Sequence, residues 1–167
     1  RQLIEFGYDE VVVARLEDND TEENLAAAKV AENIHFLAEP ENFKKSIAFT
    51  GRVNIFARTT GIIVFDEENL IRANSIDNMI TIATIPNYSQ VTKGSIVATI
   101  KIISYGVITS NLEKVASLAT GTIRLKRPKY LSAHLITTKI SRGTSDKSLS
   151  AIKKRTDSLG LSLSLNK

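Results

Sequence analysis

The chain has no cysteine among its 167 residues. This absence excludes disulfide bonds, thiolate zinc sites and a cysteine nucleophile, and it fits a reducing compartment. The sequence also lacks an apolar run approaching the roughly 18 residues that a membrane helix requires. Its first residues, Arg1 to Ile4, have neither the shape of a signal peptide nor an initiator methionine. We therefore expect a cytoplasmic protein with no membrane partner, and a chain that begins inside a longer protein.

Several well-marked catalytic motifs are missing as well. There is no G-x-x-x-x-G-K-[ST], no G-x-G-x-x-G, no G-x-S-x-G and no H-E-x-x-H, which removes the best-marked nucleotide, hydrolase and zinc-enzyme classes. The run Ser150–Lys153 fits S-x-x-K, but its companion motifs are absent, so we interpret it as the surface of a helix. His35 has no second histidine nearby and is interpreted as a charge partner at the end of a helix or as a surface residue, whereas His134 is interpreted as a hydrogen-bonded structural residue. We expect no catalytic residue, no metal site and no activity from this chain by itself.

The charge is unevenly distributed along the chain. The net charge is +4, yet residues 1–120 carry 11 Lys and Arg against 16 Asp and Glu, whereas residues 121–167 carry 11 against 2. An asymmetry of this kind indicates two parts with different partners. The basic part is either a solvated face or a surface for phosphate, nucleic acid or an acidic neighbour.

The run from Gly94 to Ile103 is the central pattern of the sequence. Its apolar residues alternate with a period of two, which predicts a half-buried strand with one inward face. The residues expected on that face are Ile96, Ala98, Ile100 and Ile102. A second run, Met79–Ile85, precedes it, and Pro86 and Gly94 punctuate the connection. The two runs are predicted to be antiparallel core strands.

Three helices are predicted around this pair of strands, each from an apolar stripe preceded by a capping residue. The first covers about residues 21–35, with Asp20 and Glu23 as a capping pair and with inward residues Ala27, Val30, Ala31 and Ile34. The second is a short helix that begins at Glu67, is capped by Asp66 and directs Leu70 and Ala73 inward. The third has about ten residues, begins at the capping box of Ser110 and Glu113, ends at Gly121 and directs Leu112, Val115, Ala116 and Ala119 inward. Before the first helix, Gly7 is predicted to end a helix.

Two further extended segments are predicted before residue 70. One is a strand over residues 10–16, and the other is a hairpin in which residues 46–57 and 62–65 are joined by the turn Thr59–Gly61. Asn74 and Asp77 lie near the core strands. They either bond the backbone where helix gives way to strand, or they orient a ligand.

The last 38 residues follow a different pattern. Tyr130–Thr138 and Leu161–Leu165 are predicted strands that flank a helix over Asp146–Leu159, which Gly160 ends. Strand, helix and strand in this order begin a parallel α/β sheet. One such unit cannot bury its own faces, so the domain is expected to be incomplete. The segment 121–129, which includes Lys126-Arg127-Pro128-Lys129, is interpreted as a linker.

These patterns predict an α+β fold. Residues 1–125 form a mixed or antiparallel β-rich domain with capped helices, and residues 126–167 form the first β-α-β unit of an α/β domain.

Three segments of the sequence resemble a known family. They are Phe49–Ala57 (FTGRVNIFA), Asn74–Pro86 (NSIDNMITIATIP) and Gly94–Ile103 (GSIVATIKII). They resemble the N-terminal part of bacterial molybdopterin-binding proteins, whose C-terminal part is a pterin-binding domain shared with molybdenum-cofactor biosynthesis enzymes. The likeness covers most of the chain. It implies molybdopterin as the cofactor and places the start of the pterin domain at Tyr130, with Asp146-Lys147-Ser148 matching the family's Asp-Lys-Thr.

The loop before the last helix is the candidate binding site, formed by Arg142, Gly143, Thr144, Ser145 and Asp146. A helix N-terminus presents unpaired N–H groups and a partial positive charge, and Gly143 lets the backbone approach an anion closely. The resemblance implies that the phosphate of a pterin docks there. In the alternative interpretation, Thr144 or Ser145 only caps the helix and Asp146 already occupies its positive end.

We therefore expect a binding or scaffolding module of a molybdopterin-binding protein linked to molybdenum cofactor biosynthesis. One alternative is a nucleic-acid-binding module that uses the basic C-terminal segment, although the absence of interleaved aromatic residues there makes nucleic acid a disfavoured partner. Another is part of a molybdenum-cofactor biosynthesis enzyme. The expected partners are the rest of the same polypeptide and, as an open alternative, further copies of the chain.

Overall fold

The computed structural model describes residues 5–7, 10, 13–36, 40–137 and 146–166. These residues form an α+β fold, as predicted. The helices are α1 (Glu23–Phe36), α2 (Glu67–Asn74), α3 (Thr109–Ala119) and α4 (Asp146–Ser158). The strands are β1 (Asp20–Glu22), β2 (Phe43–Lys45), β3 (Arg52–Ala57), β4 (Gly61–Phe65), β5 (Ile80–Thr84), β6 (Gln90–Val91), β7 (Ile96–Ile102), β8 (Gly106–Ile108), β9 (Ile123–Lys126), β10 (Ser132–Ile136) and β11 (Ser162–Asn166).

The largest sheet is antiparallel and has the order β2-β3-β7-β5. The predicted pairing of the two central runs is confirmed, since Ile82 on β5 faces Ile100 on β7. A three-stranded sheet has the order β6-β4-β9, and β1 pairs with β8. One hydrophobic core joins these sheets to helices α1, α2 and α3.

The apolar stripes of the helices face this core as predicted. The inward residues of α1 and α3 are buried, and so are Leu70 and Ala73 on α2. They are Ala27, Val30, Ala31 and Ile34 on α1, and Leu112, Val115, Ala116 and Ala119 on α3. Burial of aliphatic side chains at a spacing of 3.6 residues is therefore what attaches the helices to the sheets.

The prediction for β7 is wrong at one residue. Ala98, Ile100 and Ile102 are buried, but Ile96 is 48% exposed and its neighbour Val97 is buried instead. The pairing with β3 shifts register at this point. A β-bulge places two consecutive residues opposite one and reverses the inward alternation beyond it.

The predicted hairpin between residues 46–57 and 62–65 is also wrong. β3 and β4 belong to different sheets, and the segment between them carries the chain from one sheet to the other. β3 already has β2 on one side and β7 on the other, so it has no free edge for β4. The observed hairpin joins β2 to β3 through a tight turn at Thr50 and Gly51, which have φ angles of 47° and 66°.

Of the three capping predictions, one is confirmed and two are wrong. Asp66 caps α2 by accepting a hydrogen bond from the N–H of Asn69, as predicted. At α1 the cap is Glu22, rather than the predicted pair Asp20 and Glu23, because residues 20–22 are extended in β1 and the Glu22 carboxylate accepts from the first turn. At α3 the N-cap is Ile108, with no side-chain cap bond, so the predicted box of Ser110 and Glu113 is not formed.

Two extended segments differ from their predictions. No strand forms at residues 10 and 13–16, the described part of the predicted strand over 10–16, where Val13 is 81% exposed. Without a neighbouring strand, an extended segment has no hydrogen-bonding partner. Conversely, the predicted linker 121–129 contains β9, which pairs with β4 and buries Ile123 and Leu125.

The C-terminal unit is built as predicted. β10 and β11 are parallel, with Ser132 beside Ser162 and Ile136 beside Asn166, and α4 lies between them in sequence. Gly160 ends the helix with a φ of 72°. The side-chain amide of Gln90 on β6 donates to the carbonyl of Ser158 at 3.0 Å. The domain boundary at 125/126 remains a prediction.

Gly7 has a φ of 80°, in agreement with its predicted place at a helix end. Nowhere in the described ranges is a helix both long enough and apolar enough to pass through a membrane.

Candidate functional site

The candidate loop lies largely outside the described residues. Arg142, Gly143, Thr144 and Ser145 belong to the interval 138–145, and only Asp146 can be placed. Asp146 is the first residue of α4 and is exposed. A carboxylate there interacts favourably with the positive end of the helix dipole, so it competes with any anionic ligand for this position.

Asp146 begins the helix that follows the carboxyl end of a parallel strand. The parallel strands β10 and β11 end side by side at Ile136 and Asn166, and the chain leaves β10 there before it enters α4. In open α/β sheets, ligands bind at the carboxyl ends of the strands, and anions bind at helix N-termini. Asp146 and the exposed Lys147 occupy the position in this unit that corresponds to such sites.

Helix α4 also carries a basic surface. It is formed by four exposed residues, Lys147, Lys153, Lys154 and Arg155. The two ion pairs found within the described ranges, Lys29–Glu113 and Lys45–Glu32, lie elsewhere in the chain. The helix also exposes two carboxylates, Asp146 and Asp157, so the four cations leave it with a net charge of +2 that faces solvent.

The histidine on β10 takes part in a short polar contact. Nδ1 of His134 is 2.6 Å from Oγ of Ser164 on β11, and both residues are exposed. This bond links the two parallel strands, in line with the structural role predicted for His134. The described residues supply no third group that would orient the pair for nucleophilic catalysis. Ser150 and Lys153 are exposed, as expected for the surface of a helix. The side chain of His35 lies outside the described residues.

Asn74 and Asp77 bond the backbone, as the first of their two interpretations predicted. The Asn74 amide donates to the carbonyl of Ile82 at 3.0 Å and accepts from the N–H of Ile82 at 2.8 Å. One oxygen of Asp77 accepts from the N–H of Met79 at 2.9 Å, and the other accepts from the side chain of Asn111 at 3.1 Å. These contacts hold α2 and α3 against the start of β5.

A groove beside Asn74 is a second candidate site, which sequence reasoning missed. It has a volume of about 350 Å³ and lies between α2 and the segment after β5. Its floor is apolar and is formed by Phe65, Leu70 and Ile82, while Glu67 and Asn87 contribute polar groups. This volume is at the lower end of the range of small-molecule sites, and the groove is open to solvent. The groove depends on contacts between α2, β4 and β5 that no local pattern encodes.

Asn87 repeats the contact of Asn74 on another strand. Its amide oxygen accepts from the N–H of Phe65 at 2.9 Å, and its amide nitrogen donates to the carbonyl of Phe65 at 3.2 Å. Both asparagine amides are thus bonded to the backbone rather than directed at a ligand. The groove offers apolar contact and a carboxylate, without an acid–base pair.

Among the described residues, Glu22 has a carboxyl group whose pKa differs from its ordinary value. Burial raises its pKa, but hydrogen bonds from the backbone N–H groups of Asn24 and Leu25 and from the Asn24 side chain together lower the pKa below the ordinary value of 4.5. Asn24 also accepts from the N–H of Gly51 at 3.0 Å. This network joins the start of α1 to the turn between β2 and β3, so its role is structural.

Within the described ranges, no group of three or more His, Cys, Asp or Glu side chains is arranged to hold a metal ion. The two features of the described residues that bear on binding are therefore the start of α4 and the groove beside Asn74. Neither a family model nor a curated protein nor a solved structure matches the chain.

Proposed function

We propose that the chain is a binding and scaffolding module of a molybdopterin-binding protein linked to molybdenum cofactor biosynthesis. The observation that carries the proposal is the position of the three segments that resemble this family. Phe49–Ala57 contains β3, Gly94–Ile103 contains β7 and Asn74–Pro86 contains β5. These strands are adjacent in the order β3-β7-β5. The resemblance therefore follows one continuous piece of sheet rather than three scattered segments.

The proposed role of this sheet is to support the unit that follows it. Side chains of β7 and β3 are buried in the same core as those of β9, the strand that leads into the C-terminal residues. The bond between Gln90 and Ser158 connects the N-terminal part to the end of α4. A rigid support of this kind positions a binding loop without taking part in chemistry.

The binding part of the proposal concerns residues 142–146. Arg142 and the N–H groups that begin α4 would hold the phosphate of a pterin, and Gly143 would let the backbone approach it. The position of α4 after the carboxyl end of β10 supports this assignment. The pterin group, when bound, would supply the dithiolene sulfurs that hold molybdenum, and the chain's own residues would bind and orient it.

Calorimetry with wild type, Arg142→Ala and Arg155→Ala tests the proposal. Inorganic phosphate and a phosphorylated pterin serve as ligands. Loss of a charge-assisted hydrogen bond in Arg142→Ala should weaken binding about tenfold. Arg155→Ala removes the same charge from the exposed surface near the other end of α4 and should bind like wild type. Equal heats in all three proteins, or no heat in any of them, would reject the loop as the site.

The exposed basic surface of α4 favours one second candidate, a nucleic-acid-binding module. Four cations on one helix would release counterions from a phosphate backbone, so affinity would fall steeply with salt. Fluorescence anisotropy with a labelled single strand and a labelled duplex, over a range of salt concentrations, tests it. The double variant Lys153→Ala/Lys154→Ala should have a shallower salt dependence than Lys29→Ala, whose lysine is paired with Glu113. Weak binding that does not change with salt would eliminate this candidate.

A further inference from the structure

β5 is an outer strand of the large sheet, and its sequence has none of the usual protections of an edge. The run Met79–Ile85 reads MITIATI, with no charged residue, no proline and no glycine. Uncharged segments rich in β-branched residues pair readily with other strands, and natural edges are normally blocked by Lys, Pro or bulges. Something else must therefore keep this edge from pairing.

The hydrogen-bonding alternation of β5 identifies which groups face outward. Ile85 N–H donates to Val97 and Ile103 N–H donates to Met79, so the odd-numbered residues of this strand bond to β7. In an antiparallel ladder the intervening residues direct their N–H and C=O groups to the other side. The free edge is consequently formed by the backbone groups of Ile80, Ile82 and Thr84.

The middle of that edge is occupied by a side chain. The amide of Asn74 makes both hydrogen bonds of Ile82, at 2.8 and 3.0 Å, in the way that a residue on a neighbouring strand would. The N–H of Ile80 donates to the carbonyl of Asp77 at 3.0 Å. Asn74 is the last residue of α2, and Ala73 beside it is fully buried, so packing fixes the position of the amide.

We propose that Asn74 substitutes for a strand and closes the β5 edge against pairing with a second copy of the chain. When the amide is removed, two copies pair antiparallel through β5, with Ile82 of one opposite Ile82 of the other. This arrangement is self-complementary, because each Ile82 then donates to and accepts from its counterpart. The proposal does not depend on the ligand or the cofactor of the protein.

Asn87 provides the matched control. Its amide makes the same two bonds to Phe65, the last residue of β4, on the side away from β9. β6 pairs only with Gly61 and Ile62 on that side, and the segment Tyr88–Ser89 bonds Ile63. Asn87→Ala therefore removes an equivalent pair of bonds but leaves open only one residue at the end of a strand, not the middle of an outer strand. Any general loss of stability should affect both variants, whereas association through β5 should affect only Asn74→Ala.

Sedimentation velocity over a range of protein concentrations tests the proposal. Asn74→Ala should self-associate with a dissociation constant about tenfold lower than that of wild type, because each copy gains hydrogen bonds that the amide had satisfied. Thr84→Pro, added to Asn74→Ala, should reverse the association, since it removes an N–H that points away from β7. A folded Asn74→Ala that associates no more than Asn87→Ala would overturn the proposal.

Hydrogen exchange on the wild type gives a test that needs no folded variant. The amide of Ile82 should be protected to the same degree as that of Ala83, which is bonded within the ladder, and more strongly than that of Thr84. If the Ile82 amide exchanges as fast as the Thr84 amide, Asn74 does not close the edge and the proposal is wrong.

Discussion

Val97 and Ala98 are neighbours on β7, yet both side chains are buried. On β3, Ile55 faces Ala98 and the next residue, Phe56, faces Ile96, so Val97 has no counterpart. The bulge turns Val97 inward and leaves Ile96 half exposed. The position of the bulge is set by the pairing of two strands about 40 residues apart. The alternation of apolar residues along β7 alone therefore cannot predict it.

The bulge leads to a first prediction about stability. Ile100 is fully buried and Ile96 is 48% exposed. Ile100→Ala should lower the free energy of unfolding by about 2–5 kcal/mol, because it removes buried methyl groups and leaves a cavity. Ile96→Ala should cost about 1 kcal/mol or less. Chemical denaturation of both variants measures the difference, and equal losses would contradict the assignment of the inward face.

A second prediction concerns Arg127, which lies in the segment that the sequence assigned to a linker. Its Nε donates to the side-chain oxygen of Asn42 at 2.8 Å, its Nη2 contacts the same oxygen, and Asn42 is buried. Arg127→Ala should lower stability by about 1–2 kcal/mol, because it removes donors from a buried acceptor. Lys126→Ala changes an exposed side chain and should stay within about 0.5 kcal/mol of wild type. If thermal denaturation gives the same melting temperature for both variants, Arg127 has no structural role of this kind.

The third prediction is a pH dependence that arises from Glu22. Hydrogen bonds to its carboxylate outweigh the effect of burial and lower the pKa in the folded state. The folded state therefore binds fewer protons, so the contribution of Glu22 is present above the unfolded-state pKa and is lost as pH falls through the folded-state pKa. Glu22→Ala should cost about 1 kcal/mol at neutral pH, through loss of the helix cap.

Denaturation from neutral pH into the range below 4.5 measures this effect. The difference between wild type and Glu22→Ala should shrink as Glu22 becomes protonated. Glu41→Ala, in an exposed turn, is the control and should stay close to wild type throughout. A difference that is constant with pH would show that the ionised carboxylate does not act as the cap.

Local patterns in the sequence correctly predicted the elements in which buried residues recur at a regular spacing. The stripe of Ala27 and Ile34 on α1 predicted its buried face, because helical periodicity and core burial report the same geometry. The parallel unit at the C-terminus followed from strand, helix and glycine in order. The hairpin prediction failed because Gly61 is a turn signal that does not say which strands it separates. The cap at Glu22 was missed because residues 20–22 pair with β8, a contact between distant segments.

The candidate site was predictable only in part, for a similar reason. The start of α4 could be located from Asp146 and the preceding glycine, since helix N-termini have local signals. The groove beside Asn74 has no such signal. Its floor combines Phe65, Leu70 and Ile82 from three elements, and Asn87 reaches it from a connecting segment. Only the packing of α2 against the sheets brings these residues together.

The last prediction compares two glycines that have the same backbone conformation in different surroundings. Gly51 and Gly121 both have a φ of 66°, which costs an L-residue free energy regardless of its neighbours. A Cβ at Gly51 would lie 2.7 Å from the backbone oxygen of Ile102 and 3.2 Å from a side-chain oxygen of Glu23, whereas a Cβ at Gly121 would meet nothing within 4 Å. The turn at Gly51 thus requires both a positive φ and the absence of a side chain.

Gly121→Ala should accordingly lower the free energy of unfolding by about 1 kcal/mol, the cost of the left-handed conformation alone. Gly51→Ala should cost about 2–4 kcal/mol, because the contact with Ile102 is to backbone and cannot be relieved by rotating a side chain. The N–H of Ile102 also donates to the carbonyl of Gly51 at 2.7 Å, so any relief of the clash strains this bond. Urea denaturation of the two variants separates the cost of the left-handed conformation from the cost of the steric clash. If Gly51→Ala costs no more than Gly121→Ala, then the turn between β2 and β3 does not pack against the end of β7 as described.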